Sequence, residues 1–174
     1  MQVMRLVLYI SMAAIPASPV FKRDHEMKVR KATANDVQRL YDIHMAALRE
    51  ICSKSYNNDE IEALCKGKNP EGYLERIDNI NVGEQGGEVV GWCHAGEGCI
   101  WGLFVDPRYI KMGAGRSLIS QILNELQDDN GEVTIEATLN AVGFYQKMGF
   151  EETGDGFTER SGRQIAIKYM RYYK

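Results

Sequence analysis

The sequence contains little from which to build a metal centre or a disulfide framework. Its four cysteines, Cys52, Cys65, Cys93 and Cys99, form no C-x-x-C pair, and its three histidines are scattered. Neither a zinc site nor a redox motif is laid out, so no metal is expected, and reduced, mostly buried thiols in a cytoplasmic protein are the favoured reading. Positive charge is not in excess: 21 Lys and Arg stand against 24 Asp and Glu, a formal net charge of −3. That excludes a basic footprint, and with it nucleic acid as the main partner; a mildly acidic surface tolerates a cationic substrate instead. No apolar run is long enough to span a bilayer, so no membrane is expected as a partner. Internal repeats, low-complexity tracts and a linker that would separate two domains are also missing.

What is present suits one compact domain. At 174 residues with 44% apolar content, the chain has enough material for a sizeable core. Residues 1–26 stand apart. Arg5 followed by the apolar run from Leu6 to Ile15 resembles a signal peptide, but the run is short, and Pro16 and Pro19 crowd any cleavage site. The expectation is an atypical apolar extension, packed on its own domain or on a partner subunit, ahead of a single domain over residues 27–174. A homodimer follows from that extension and from an exposed last strand ending Tyr169-Met170-Arg171-Tyr172-Tyr173.

Periodicity predicts a mixed α/β order. Residues 27–32 alternate as a strand; Thr33 or Asn35 then offers an N-cap for a helix carrying Val37, Leu40, Tyr41, Ile43, His44, Ala47 and Leu48. Helical stretches follow at 59–65 and 70–77. Residues 81–84, a Gln85-Gly86-Gly87 turn, 88–95 and 99–105 read as an antiparallel meander. A helix over 115–127, a strand over 133–137, a short helix over 140–148 and a last strand over 164–171 complete the chain.

The most informative segment runs from Val105-Asp106-Pro107 through Lys111-Met112-Gly113-Ala114-Gly115-Arg116 into the helix bearing Leu118 and Ile119. Glycines at a helix start let backbone N–H groups approach an anion, and the unpaired amides of the first turn favour negative charge. This is a phosphate cradle, suited to a cofactor with a pyrophosphate. A second block, Leu139-Asn140-Ala141-Val142-Gly143-Phe144-Tyr145-Gln146-Lys147-Met148-Gly149-Phe150, follows after the helix.

The two blocks together, in this order and spacing, resemble the GNAT superfamily of N-acetyltransferases, and the resemblance covers the chain from Met27 onward. It implies a twisted, mostly antiparallel sheet of about six to seven strands with splayed central strands, flanked by helices. It implies acetyl-CoA as co-substrate, held in the V between residues 99–105 and 133–137. Unpaired groups of Leu103, Phe104 and Val105 would meet the pantetheine arm, and one strand N–H would stabilise the oxyanion formed when an amine attacks. The amides of Lys111, Met112, Gly113, Ala114, Gly115 and Arg116 would hold the pyrophosphate. Asn140 would contact pantetheine, Phe144 would pack on the cofactor, and Lys147 would lie near phosphate. Tyr145 is the general acid for the departing thiolate on this resemblance.

Two departures from the family pattern stand out. The position three before the first glycine, where an Arg or Gln is usual, is Ile110, which leaves the cradle to backbone amides and to the side chains of Lys111 and Arg116. Where many relatives carry a glutamate base there is Cys99; Glu97, two residues earlier, is the nominee, with Glu136 and His94 as rivals. Cys99 itself reads as a buried thiol rather than a nucleophile. The implied function is acetyl transfer from acetyl-CoA to a primary amine in a ternary complex. The alternative is a non-catalytic acyl-CoA-binding module. Residues 41–80 and a glycine-bearing loop over 153–162 would line the acceptor side, whose small-molecule or peptide amine stays open.

Overall fold

The computed structural model describes residues 27–126 and 131–173. The expected extension over residues 1–26 lies outside them. Strands β1 (Lys28–Lys31), β2 (Ile80–Gln85), β3 (Glu88–Gly96), β4 (Cys99–Val105), β5 (Glu132–Thr138), β6 (Glu151–Arg160) and β7 (Arg163–Tyr173) form one seven-stranded sheet in the order β1-β2-β3-β4-β5-β7-β6. Every neighbouring pair is antiparallel except β4 with β5.

Between β1 and β2 the chain folds as α1 (Val37–Ala46), α2 (Asn58–Cys65) and a 3₁₀ segment, Glu71–Asn79. The start of α2 is fixed by a reciprocal cap: Asn57 Oδ1 accepts from the Glu60 N–H at 3.0 Å, and Glu60 Oε2 accepts from the Asn57 N–H at 2.8 Å. The helical pattern predicted through Leu48 persists, but past Ala46 the turn widens to a π-helical stretch, Ala47–Ile51, and then tightens at Cys52–Lys54. This layer packs on one face of the sheet, with Leu40, Ile43, Tyr73, Ile80, Val82 and Trp92 in one buried cluster. A second cluster joins Leu48, Cys52, Tyr56, Ile61 and Leu64 to Ile165 of β7.

A separate cluster unites α3 (Ala114–Glu125) and α4 (Val142–Lys147) with the sheet. Leu118, Ile119, Ile122 and Leu123 of α3 are buried with Cys93, Ile100, Val133 and Ile135. Each such side chain contributes about 1.5–3 kcal/mol of burial free energy. Helix α4 ends at Gly149, φ +92°, where Phe150 N–H returns to the Tyr145 carbonyl at 3.0 Å.

Two expectations are corrected here. The last strand is not an edge: β7 lies between β5 and β6, and the edge is β6. Residues 153–162 are not a loop: 153–160 belong to β6, and only Ser161 and Gly162 turn. The glycines that suggested mobility have local reasons in the strand and its turn, where Gly162 takes φ +78°. A Cβ on Gly156 would collide with the ring of Tyr169, and Gly154 adjoins a register shift that bulges the strand.

Candidate active site

The site originates in a failure of strand pairing. β4 and β5 run parallel and pair only through Cys99 with Thr134 and Ile100 with Ile135. Beyond that point β4 stays bonded to β3 and β5 to β7, so the sheet forks. Its register with β3 also steps between His94 and Ala95, which leaves Trp101 as an extra residue on β4. Among the described residues, the edge of β4 that faces the fork has no strand partner from Trp101 to Val105.

Two adjoining cavities fill the fork. One, of about 230 Å³, is lined by Leu103, Phe104, Val105, Ile110, Gly115, Asn140, Phe144 and Tyr145, with Cys52 behind them. The other, of about 150 Å³, lies nearer the junction and is lined by His44, Lys68, Trp101, Glu136, Tyr145 and Arg160 among others. Leu103, Phe104, Thr138, Ala141 and Tyr145 belong to both walls.

At the mouth of the first cavity, Asp106-Pro107 opens a 3₁₀ turn that leads through Lys111, φ +65°, to Gly113, φ +98°, where α3 begins. The first bond within α3 runs from Ser117 N–H to the Gly113 carbonyl, so the amides of Gly113, Ala114, Gly115 and Arg116 lack intrahelical acceptors. Gly115 has a steric reason: a Cβ there would stand 3.3 Å from Phe144 Cζ and 3.6 Å from Val105 Cγ2. Lys111, Met112, Gly113 and Arg116 are exposed around this turn, Ala114 is buried, and Ile110 presents an apolar side chain to the cavity.

The turn is anchored by a group to which the sequence reading gave no role. Asp106 is buried and accepts from Arg39 Nη2 at 2.6 Å, from the Arg108 N–H at 2.9 Å and from the Arg108 guanidinium. These bonds, first those of Arg108, hold its carboxyl far below the usual carboxylate range. Glu88 ties in Arg39, Arg108 and the Tyr109 hydroxyl. The long sequence separation of Arg39 and Asp106 hid this bridge from α1 to the turn.

Tyr145 is 3% exposed, with Phe144 and Phe150 edge-on to its ring. Among the described residues its hydroxyl has no hydrogen-bond partner, and burial, with a smaller contribution from Cys93, raises it well above an ordinary phenol. Asn140 Oδ1 is buried and unpartnered in the first cavity. An orphaned acceptor, an unpaired strand edge and a glycine packed against Phe144 are the features an amide-bearing, phosphate-tipped thioester arm requires, so the residues present fit acetyl-CoA.

The remaining candidates divide. Leu103, Phe104, Val105, Gly115, Asn140, Phe144 and Tyr145 are brought together. Lys147 is exposed on α4 and does not line either cavity of the fork. Glu97 sits at φ +50° in the β3–β4 turn, ahead of a strand that begins only at Cys99, and is not brought to the fork; Glu136 is. His94 stacks on Trp101 with ring centroids 4.6 Å apart in a neighbouring cavity. Burial raises the Cys99 thiol, which disfavours a thiolate nucleophile. His44, expected only as part of a helix face, lines the second cavity. Its Nδ1 lies 2.8 Å from Tyr73 Oη and its ring packs on Phe104 at 3.8 Å; burial keeps it neutral. Among the described residues no group of three or more His, Cys, Asp or Glu could hold a metal, and no helix is long and apolar enough to cross a membrane.

A sheet forked between two parallel strands, with a glycine-started helix at its mouth, is the architecture of a GNAT-type acyltransferase. The family model described as "Acetyltransferase (GNAT) domain" matches residues 52–170, and the chain belongs to that family. It is similar to a probable acetyltransferase, TAP2, of Glycine max, 28% identical over 66% of this chain and 51% of that one. It is also similar to the uncharacterized N-acetyltransferase YafP of Escherichia coli K12, 25% identical over 85% of this chain and 97% of that one. The chain thus spans about half the length of the soybean relative and nearly all of the bacterial one. Among solved structures, a GCN5-related N-acetyltransferase of Rhodopseudomonas palustris superposes with a TM-score of 0.78 at 21% identity, over 84% of this chain and 95% of that one. A putative acetyltransferase of Salmonella typhimurium, solved with its cofactor acetyl-CoA, gives 0.64 at 18% identity over 85% and 94%. These superpositions establish the fold.

Proposed function

We propose that this protein transfers an acetyl group from acetyl-CoA to a primary amine by direct attack within a ternary complex. The observation that carries the reading is Tyr145: a buried phenol without a hydrogen-bond partner among the described residues, in the wall shared by a cavity that reaches the glycine-started helix and a cavity that Lys68, Glu136 and Arg160 also line. The named relatives and the acetyl-CoA-bound neighbour support the same reading.

When bound, acetyl-CoA supplies an acyl carbon activated as a thioester. The chain's part is to hold and orient it. Free amides of Gly113 to Arg116 take the pyrophosphate; Asn140 Oδ1 accepts from a pantetheine amide; the unpaired edge of β4 from Leu103 to Val105 aligns the arm and offers an N–H to the acyl oxygen. Because Ile110 brings no charge, the phosphates depend on main-chain donors, with Lys111 and Arg116 near. Tyr145 keeps its proton at neutral pH and donates it toward the departing sulfur. Glu136, in the second cavity, is positioned to take the proton of an incoming ammonium, in place of Glu97.

Calorimetric titration with acetyl-CoA tests the reading first. Saturable binding that Gly113→Val and Gly115→Val remove, followed by amine-dependent thiol release that Tyr145→Phe slows, is the expected result. No binding up to ~1 mM, a free energy no better than about −4 kcal/mol, would overturn it. Tight binding with no amine turned over would favour a non-catalytic acyl-CoA-binding module.

A further inference from the structure

The second cavity and a wider neighbour of about 560 Å³ share the side chains of Trp101, Glu136 and Arg160. Arg76 and His94 line the wider one and Lys68 the narrower. Three cations therefore gather on the far side of Tyr145 from the phosphate turn. Among the described residues none of the three forms an ion pair: the Arg76 guanidinium lies over the Tyr73 ring at 5.1 Å, and Arg160 donates to the carbonyl of Glu159. Among the described residues Glu136 is the only carboxylate in these two walls, and it forms no ion pair with the three. Burial, then Arg160 and Arg76, push the Lys68 ammonium below its ordinary value. Burial, then Arg76, lowers His94, and burial, then Lys68 and Arg76, lowers His44.

Like charges that repel one another without internal compensation form a site for an anion. A plain amine or polyamine, itself cationic at neutral pH, would be opposed there. We propose that the acceptor is a small amine bearing a carboxylate, of amino-acid type, with its carboxylate held by Lys68, Arg76 and Arg160 and its amino group directed past Glu136 toward Tyr145. This inference rests on the acetyl-transfer reading and specifies the substrate of the same site. The reaction balances: a C–N bond forms and the acyl C–S bond breaks, the incoming ammonium gives up one proton to Glu136, and the second proton lost from the amine equals the one the CoA sulfur takes. The overall charge of −3 tolerates a cationic substrate; the local arrangement of Lys68, Arg76 and Arg160 favours an anionic group on it.

The test uses matched amines. Glycine, β-alanine, γ-aminobutyrate and the common L-amino acids are compared with their carboxamides, 1,4-diaminobutane with γ-aminobutyrate, and phosphoethanolamine with ethanolamine. Free-thiol release gives kcat/KM for each, and quenching of tryptophan emission, to which Trp101 in these walls contributes, follows binding without turnover. The expected result is at least one carboxylate acceptor favoured ~10-fold or more over its carboxamide. Lys68→Met and Arg160→Met should raise its KM until the preference is lost, while acetyl-CoA binding by calorimetry stays within about twofold. Carboxamides or the diamine used as well as the carboxylates, a preference that survives both substitutions, a preference for the phosphate, or no amine bound and none turned over by a protein that binds acetyl-CoA would each overturn the proposal. Absence of acetyl-CoA binding would instead remove the acetyl-transfer reading, and this proposal with it.

Discussion

Among the described residues no hydrogen-bonding side chain competes for the proton of Tyr145. Burial keeps the hydroxyl protonated through the neutral range, so its donor role is not limited by its own ionisation, and kcat should show no alkaline fall assignable to this residue below about pH 10. Tyr145→Phe should lower kcat by roughly 10²-fold while the acetyl-CoA dissociation constant changes little; an unchanged kcat would remove the acid role. The thiols give a second residue-scale expectation. Burial pushes Cys52 up to about 11 and Cys93 to about 12, so both should resist alkylation in native protein at pH 8 and react on unfolding, with half-buried Cys99 the first to label. Tyr145 was legible in the sequence because it sits inside a contiguous block. Lys68, Arg76, Arg160 and His44 were not, because they reach two neighbouring cavities from a loop, a 3₁₀ segment, an edge strand and a helix.

At the scale of elements, the phosphate turn owes its position to contacts from outside itself. Arg39 of α1 and Glu88 of β3 fix Asp106 and Arg108, so the conformation from Pro107 to Gly113 depends on two elements distant in sequence. Asp106→Asn should cost about 2–4 kcal/mol by urea denaturation, since it leaves the Arg39 guanidinium without its buried partner. It should also raise the KM for acetyl-CoA. Gly115→Val should weaken acetyl-CoA binding at least 10-fold at a stability cost of about 1–3 kcal/mol, because its branches meet Phe144 and Val105. The turn and both flanking elements could be read locally, from glycines, a proline and helical spacing. The brace could not, nor could the placement of β7 inside the sheet: a strand's own pattern reports which face is buried, whereas its neighbours are decided by the path of the whole chain. Gly156 in β6 misled for a related reason, since it makes room for the cross-strand ring of Tyr169 rather than for motion.

For the whole molecule, acid should act in two stages. His44 is buried neutral, so below its unfolded value near 6.5 the unfolded chain takes up a proton that the folded chain does not. Stability then falls with pH, by up to about 1.4 kcal/mol per pH unit for such a histidine. His94, lowered to about 4, acts in the same direction between 6.5 and 4. Asp36 and Asp106 are held below 3.8 by their arginines, so their contribution persists until the pH falls past that value. The urea midpoint should therefore begin to drop below pH 6.5, before Asp36 or Asp106 titrates, and a profile flat to pH 5 would contradict a neutral buried His44. The fork itself has a mechanical meaning. Two residue pairs of the ladder join the half of the sheet ending at β4 to the half beginning at β5, and the core beneath α3 spans both halves, so the seam is short in strand bonds and continuous in packing. A guest that bonds to the bare edge of β4 acts as a missing length of strand. Its affinity and the rigidity of that edge would then be one quantity measured in two ways, and amide exchange from Trp101 to Val105 would slow in proportion as the guest binds.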